Sequence, residues 1–213
     1  MSKLVDLSRE LYHRSPGHPF HPPMVMAQWD THQEMKAGNT IFRTASYFVS
    51  FSDHAGTHVD APKHFSAEPG AKSIDEMPLE TFYTDAICLD LSHVELGAAI
   101  SVNEMEAALL NSGQEIRTED TVLLYMAYNK RSVHWLADKG CKVFGVEAVS
   151  PAPEGELNFQ AHNACAERGI THIEGLDNVE SVVGKGRFKF IGFPLKLRGG
   201  SGGPMRAVAV LNE

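Results

Sequence analysis

Residues 52–65 read SDHAGTHVDAPKHF, which places His54, His58, Asp60 and His64 within eleven residues, beside Gly56 and Pro62. On a helix, His54 and His58 would be i,i+4 neighbours, the arrangement of an H-E-x-x-H zinc helix. Gly56, Thr57, Val59 and Pro62 are poor helix residues, however, and no Glu follows His54. A strand suits the stretch better, because the four polar residues are all even-numbered and share one face. Fully extended, His54 and His58 would lie about 13 Å apart at roughly 3.3 Å per residue, too far to share an ion whose ligand bonds are about 2.0–2.1 Å. His58 and Asp60, about 6.6 Å apart on the same rise, can share one. The chain must therefore bend between His54 and His58, and Gly56 is the residue that allows it. Pro62 stiffens the exit and removes a backbone donor. The expectation is a ligand triad, His54, His58 and Asp60, on a kinked strand-to-loop segment, with His64 on its rim. Three protein ligands leave coordination positions open for water, which favours chemistry over structure.

Outward from this stretch, IFRTASYFVSF (41–51) is rich in β-branched and aromatic residues and is a predicted strand leading into the histidines. Further strands are predicted over 86–92, 121–126, 142–147, 170–175, 188–195 and 205–212. Ser101 and Glu104 make a capping-box pair that opens a helix through Leu110, stopping near Gly113. Helices are also predicted over 132–140 and 158–169, the second ended by Gly169. His162 falls in mid-helix and Glu174 at a strand end; both are candidate partners for the triad. Strand–helix–strand alternation from 86 to 175 predicts some parallel pairing. The fold class is α/β, with strands outnumbering helices in one domain over 1–213.

Other features weigh less. Residues 13–32 are rich in Pro and His, and 1–40 is expected to be an irregular segment. Gly199–Gly203 looks like a phosphate cradle but leads into Pro204 and a strand rather than a helix, so a flexible loop is expected. His18, His21 and His32 read as ordinary loop residues ahead of a pocket lid. Phe20, Met24, Trp29 and Tyr128 read as core or interface ahead of an aromatic-binding wall. Glu147 reads as a strand end ahead of a support for the site.

The net charge of −8 and the absence of any Lys/Arg run longer than two argue against a nucleic-acid partner and an anionic membrane surface. No stretch of eighteen apolar residues exists, and the first residues have no apolar leader segment. Cys88, Cys141 and Cys165 are odd in number and never form a C-x-x-C pair, which predicts reduced structural thiols in a cytoplasmic protein and excludes a zinc ribbon.

HAGTHVDAPKHF resembles the H-x-G-T-H-x-D-A-P-x-H-F signature of the cyclase-like metal hydrolases, a family that includes bacterial kynurenine formamidase and isatin hydrolase. WLADKGCKVFGVEAVSP, AHNACAERGITHIEGL and FIGFPLKLRGGSGGPMRAVAVL resemble the family's later blocks, so the likeness covers most of the chain. It implies a compact swivelling β/β/α-type domain with a mixed sheet. It implies that His54, His58 and Asp60 hold a first divalent metal, with Asp60 bridging to a second that His162 and Glu174 complete. It implies His64 as catalytic acid/base, zinc or manganese as the metal, and one or two ions per chain. It also implies a homodimer or homotetramer in which N-terminal segments reach toward a neighbour's site.

Two departures concern the substrate. Where many members carry Gly-Ile-Asp followed by Pro-Ser, this chain has Gly145-Val146-Glu147 and Ser150-Pro151, and the connection after LLYMAY is short. The expected reaction is hydrolysis of a carbonyl C–N bond in a small molecule, an aryl formamide such as N-formylkynurenine or a cyclic amide or imide. Metal-activated water would attack, and His64 would move the proton. The alternatives are hydrolysis of a small dienelactone-like lactone and, outside enzymes, a metal-binding protein that keeps the site without turnover.

Overall fold

The computed structural model describes residues 2–95, 100–125, 130–152 and 155–212. Its strands, in chain order, are β1 (Ser2–Asp6), β2 (Val25–Ala37), β3 (Thr40–Ser50), β4 (His58–Asp60), β5 (Tyr83–Asp90), β6 (Thr121–Tyr125), β7 (Val143–Val146), β8 (Thr171–Glu174), β9 (Phe188–Ile191), β10 (Gly202–Pro204) and β11 (Val208–Asn212). The helices are α1 (Pro62–Phe65), α2 (Val102–Ser112), α3 (Lys130–Asp138) and α4 (Glu156–Arg168). Among the described residues, nine strands form one mixed sheet in the order β1-β11-β9-β5-β6-β7-β8-β4-β10, and β2 and β3 form a separate hairpin. The architecture is α/β with strands outnumbering helices, as the alternating pattern predicts.

The parallel pairs β5–β6, β6–β7 and β7–β8 make the centre of the sheet. Both faces are covered there. Ile87, Leu89, Val122 and Leu124 pack with Met105, Leu136 and Ala161 of the helices, while Ala86, Cys88 and Leu123 join Val5, Phe82, Phe188 and Phe190 on the opposite face. Burial on both faces is why ICL and TVLL read as continuous apolar runs rather than alternating ones. β4 and β10 then extend the sheet antiparallel beyond β8. The predicted capping box of α2 forms: the Ser101 hydroxyl accepts from the Glu104 N–H, and the Glu104 carboxylate accepts from the Ser101 N–H.

Three expectations are corrected. Residues 1–40 are not irregular throughout: β1 pairs with β11 and β2 pairs with β3, leaving 9–24 without a strand. β2 is exposed on nearly every residue, so its sequence carries no buried period-two signal. The Gly-rich stretch is not a flexible loop to its end, since Gly202–Pro204 is the edge strand β10. Finally, the strands predicted over 188–195 and 205–212 are shorter, at 188–191 and 208–212. Tyr128 lies outside the described residues. Among the described residues, no helix is long and apolar enough to cross a membrane.

Candidate metal centre

The bend predicted at Gly56 is present. Gly56 has φ 60°, a left-handed conformation costly for a residue with a Cβ, and a Cβ there would also lie 2.6 Å from Leu11. The turn folds His54 back onto β4, so the His54 and His58 rings come to 5.0 Å centre to centre. Pro62 opens the one-turn helix α1, which carries His64 beside them, 4.2 Å from the His54 ring.

The antiparallel register of β4 against β8 sets His58 opposite Glu174. Period-two alternation then puts His58, Asp60, His172 and Glu174 on one face. α4 packs Ala161, Ala164 and Cys165 into the core and leaves His162 at the edge of the same face, with its side chain 16 % exposed. All six residues expected from the sequence are thus brought together. Asp60 is at their centre and is 1 % exposed. Its Oδ1 is 2.8 Å from His54 Nδ1 and 3.5 Å from His58 Nε2. Its Oδ2 faces His172 Nε2 at 3.2 Å, His64 Nε2 at 3.6 Å and His162 Nε2 at 3.7 Å. Glu174 divides itself similarly, with Oε2 3.4 Å from His58 Nε2 and Oε1 3.9 Å from His162 Nε2.

The outer hydrogen bonds assign the tautomers. His58 Nδ1 lies 2.9 Å from the Gly56 carbonyl and His162 Nδ1 lies 2.9 Å from the Asn158 carbonyl. Carbonyls only accept, so both Nδ1 atoms carry protons and both Nε2 lone pairs point inward. Ser201 Oγ donates its one proton to Asp53 Oδ2 at 2.9 Å, so His54 Nε2, 2.9 Å from that hydroxyl, is the donor to it. His54 Nδ1 therefore also presents a lone pair. Three ring lone pairs converge on carboxylate oxygens, and His58 Nε2 and Asp60 Oδ2 are buried without a hydrogen bond. Protons on the rings or a bound cation can satisfy such contacts, and a cation satisfies the buried His58 Nε2 and Asp60 Oδ2 together. Two groups have ligand atoms all within 4.8 Å of one another: His54, His58 and Asp60, and Asp60, His162, His172 and Glu174. Nitrogen and carboxylate donors of this kind suit zinc and also manganese.

Charge follows the same layout. Burial would raise the Asp60 carboxyl, but His172 and the neighbouring imidazoles outweigh it and hold the group well below the ordinary range. Glu174 is likewise pushed up by burial and by Asp60, and brought below its usual value by His172 and His58. Burial drives His64 down to about 4, against the pull of Asp60, so it is neutral at pH 7. His64 is also the least enclosed of the group, its side chain 28 % exposed, at the floor of a cavity of about 410 Å³.

That cavity has His54, His64, His162 and Glu174 on one side and Phe20, Phe65, Val149 and Phe159 among its other walls. Ser150 lines it too, so one of the segments that departs from the family pattern does shape the pocket. His18 and His21 also reach it, His21 stacked on His54 at 4.9 Å, whereas His32 lies in the exposed β2–β3 hairpin. Trp29 is exposed on that hairpin and Met24 is buried. Glu147 directly follows β7; its carbonyl accepts from Arg9 and its carboxylate from the Val179 N–H.

Sequence reasoning missed His172, Ser201 and Asp53. His172 had a signal: it stands two residues before Glu174 on a predicted strand, hence on the same face. Ser201 and Asp53 had none, because their link depends on β10 pairing with β4. That pairing explains Gly202 as well, since a Cβ there would lie 2.7 Å from His54 Cε1.

Among known proteins, the chain is 29% identical over 212 residues to a kynurenine formamidase of Salinibacter ruber, covering 96% of each chain. It is 31% identical over 169 residues to a kynurenine formamidase of Delftia acidovorans, covering 75% of this chain and 77% of that one. Its fold matches the crystal structure of an isatin hydrolase bound to the product analogue thioisatinate with a TM-score of 0.87, at 18% identity over 100% of this chain and 93% of that one. The family model described as putative cyclase matches residues 5–153, the segment that carries the histidine motif and the central strands; the chain belongs to the cyclase family.

Proposed function

We propose that this chain is a metal-dependent amidohydrolase that opens the carbonyl C–N bond of a small aryl formamide or cyclic amide. The observation that carries the reading is the buried cluster of imidazoles around Asp60, whose Oδ2 has no hydrogen bond, beside a partly aromatic cavity lined by His54, His64, His162 and Glu174. His54, His58 and Asp60 hold a first divalent ion, zinc or manganese, and Asp60, His162 and Glu174 hold a second. When bound, the metal lowers the pKa of water and polarises a carbonyl.

The protein's own groups do the rest. Phe65 and Phe159 line the space in which an aryl ring would sit against the centre. His64, neutral at working pH, takes a proton from the attacking water and returns it to the leaving nitrogen. Water adds across the bond, so a formamide yields formate and the free arylamine. Kynurenine formamidases and an isatin hydrolase among the similar proteins support a bicyclic or ortho-substituted aryl substrate, with N-formylkynurenine and isatin as the first compounds to test.

We read the molecule as a homodimer or homotetramer. The β2–β3 hairpin supports this, since Trp29, Phe42, Tyr47 and Phe48 are exposed on it. Three buried cysteines without disulfides suit the reducing cytoplasm. The test is elemental analysis of the purified protein combined with turnover of N-formylkynurenine, isatin and a dienelactone. Bound metal with hydrolysis of either nitrogen compound is expected; turnover of the lactone alone would reject the C–N assignment.

A further inference from the structure

His172 has no part in the reaction just described, yet it is among the most constrained residues of the centre. It is 0 % exposed, and its ring is held between Phe144 at 5.4 Å and Phe65 at 6.0 Å, near-parallel to both. Its Nδ1 meets the buried Cys165 Sγ at 3.6 Å. Its Nε2 points at Glu174 Oε1, 3.1 Å away, and at Asp60 Oδ2, 3.2 Å away. Clamped by two aromatic rings on a central face of the sheet, the imidazole cannot swing toward water.

We propose that His172 is a fourth protein ligand, through Nε2, to the ion on the His162 side, and that it closes that half of the centre while the His54 half stays open. The inference rests on the two-metal reading above and adds a ligand to it. His172 Nε2 makes a hydrogen bond of 3.1 Å with Glu174 Oε1, and an ion accounts for the second carboxylate oxygen at the same nitrogen. Asp60 Oδ2 has no hydrogen bond although His172 Nε2 is only 3.2 Å away. Four ligands at about 2.1 Å in a tetrahedron are separated by about 3.4 Å. The separations here are 3.1 and 3.2 Å from His172 to Glu174 and Asp60, and 3.9 and 3.7 Å from His162 to the same two oxygens. They straddle that edge length on either side.

The count has a consequence for chemistry. Four protein ligands complete a tetrahedral zinc site, as in structural centres, whereas three leave a position for water. The His162 ion would then act by holding Asp60 and Glu174 in place, and the His54 ion would face the substrate cavity.

The test uses the full chain, stripped of metal and titrated with Co²⁺, with the bound ions counted and their affinities read from the visible absorption. Wild type is expected to bind two ions. His172→Leu is expected to bind one ion normally and to hold the second at least about 100-fold more weakly, since losing even an outer partner of a ligand costs about 10–100-fold. Two ions bound as tightly in His172→Leu as in wild type would overturn the proposal. If that variant fails to fold, wild type loaded with ¹¹³Cd²⁺ decides: a one-bond cadmium–nitrogen coupling at His172 Nε2 supports ligation. Both ring nitrogens protonated, with one ion per chain, overturns it and leaves the proposed hydrolase intact. No metal uptake by wild type would overturn both.

Discussion

The two halves of the candidate centre are built in opposite ways. His54, His58 and Asp60 come from one seven-residue stretch, and a left-handed turn at Gly56 folds them into contact. His162, His172 and Glu174 come from a helix and a strand far along the chain, and only the pairing of β8 with β4 and the docking of α4 bring them to Asp60. One half is local chemistry held by a bend; the other is sheet register. The half made locally is also the more dependent on outer support, through the Asp53–Ser201–His54 chain of hydrogen bonds supplied by β10. In the half made by register, His172 and Glu174 are buried in β8 and held by packing, while His162 sits at the edge of α4, its side chain 16 % exposed.

Asp60 is the residue common to both halves, so Asp60→Ala should have the largest effect. Metal content is expected to fall to near zero by elemental analysis, and hydrolysis to the background rate. Retention of one ion would mean the halves do not depend on each other. His64→Ala should come next, lowering turnover by about 10²–10⁴-fold, the usual worth of a general acid/base. Both ions should remain in that variant; loss of one would make His64 a ligand instead of a proton carrier.

A smaller effect would sharpen the contrast. Ser201→Ala removes the acceptor of the His54 Nε2 proton and should weaken the ion on the His54 side by about 10-fold in a competition titration. The ion on the His162 side should be unaffected, and equal weakening of both would erase the distinction between the halves. Smallest, Ser101→Ala removes the capping box of α2, remote from the centre, and should cost about 1 kcal/mol in denaturant unfolding with metal affinity unchanged.

Much of this was legible along the chain. The spacing of His54, His58 and Asp60 demanded a bend, and the bend is at Gly56. Gly113 and Gly169 stop their helices where a residue free to turn left-handed was expected. The edge strand β10 was hidden because glycine is a poor strand former, and its glycine is required by the closeness of His54 rather than by strand preference. Of the hairpin, β3 was legible as the strand predicted over 41–51, while β2 was hidden because a strand exposed on nearly every residue has no apolar alternation to read.

By itself the sequence determined which side chains of 54–64 can meet, because residues so near one another are limited by bond geometry and a single turn. It also determined the helix ends and the doubly buried central strands, whose signals lie within a few residues. Only the tertiary structure decided that His162, His172 and Glu174 join them, that Ser201 and Asp53 stand behind His54, and that an aromatic-walled cavity opens above His64. Those relations depend on strand order and register, which are set by how whole faces pack and leave almost no trace in any one short stretch of chain.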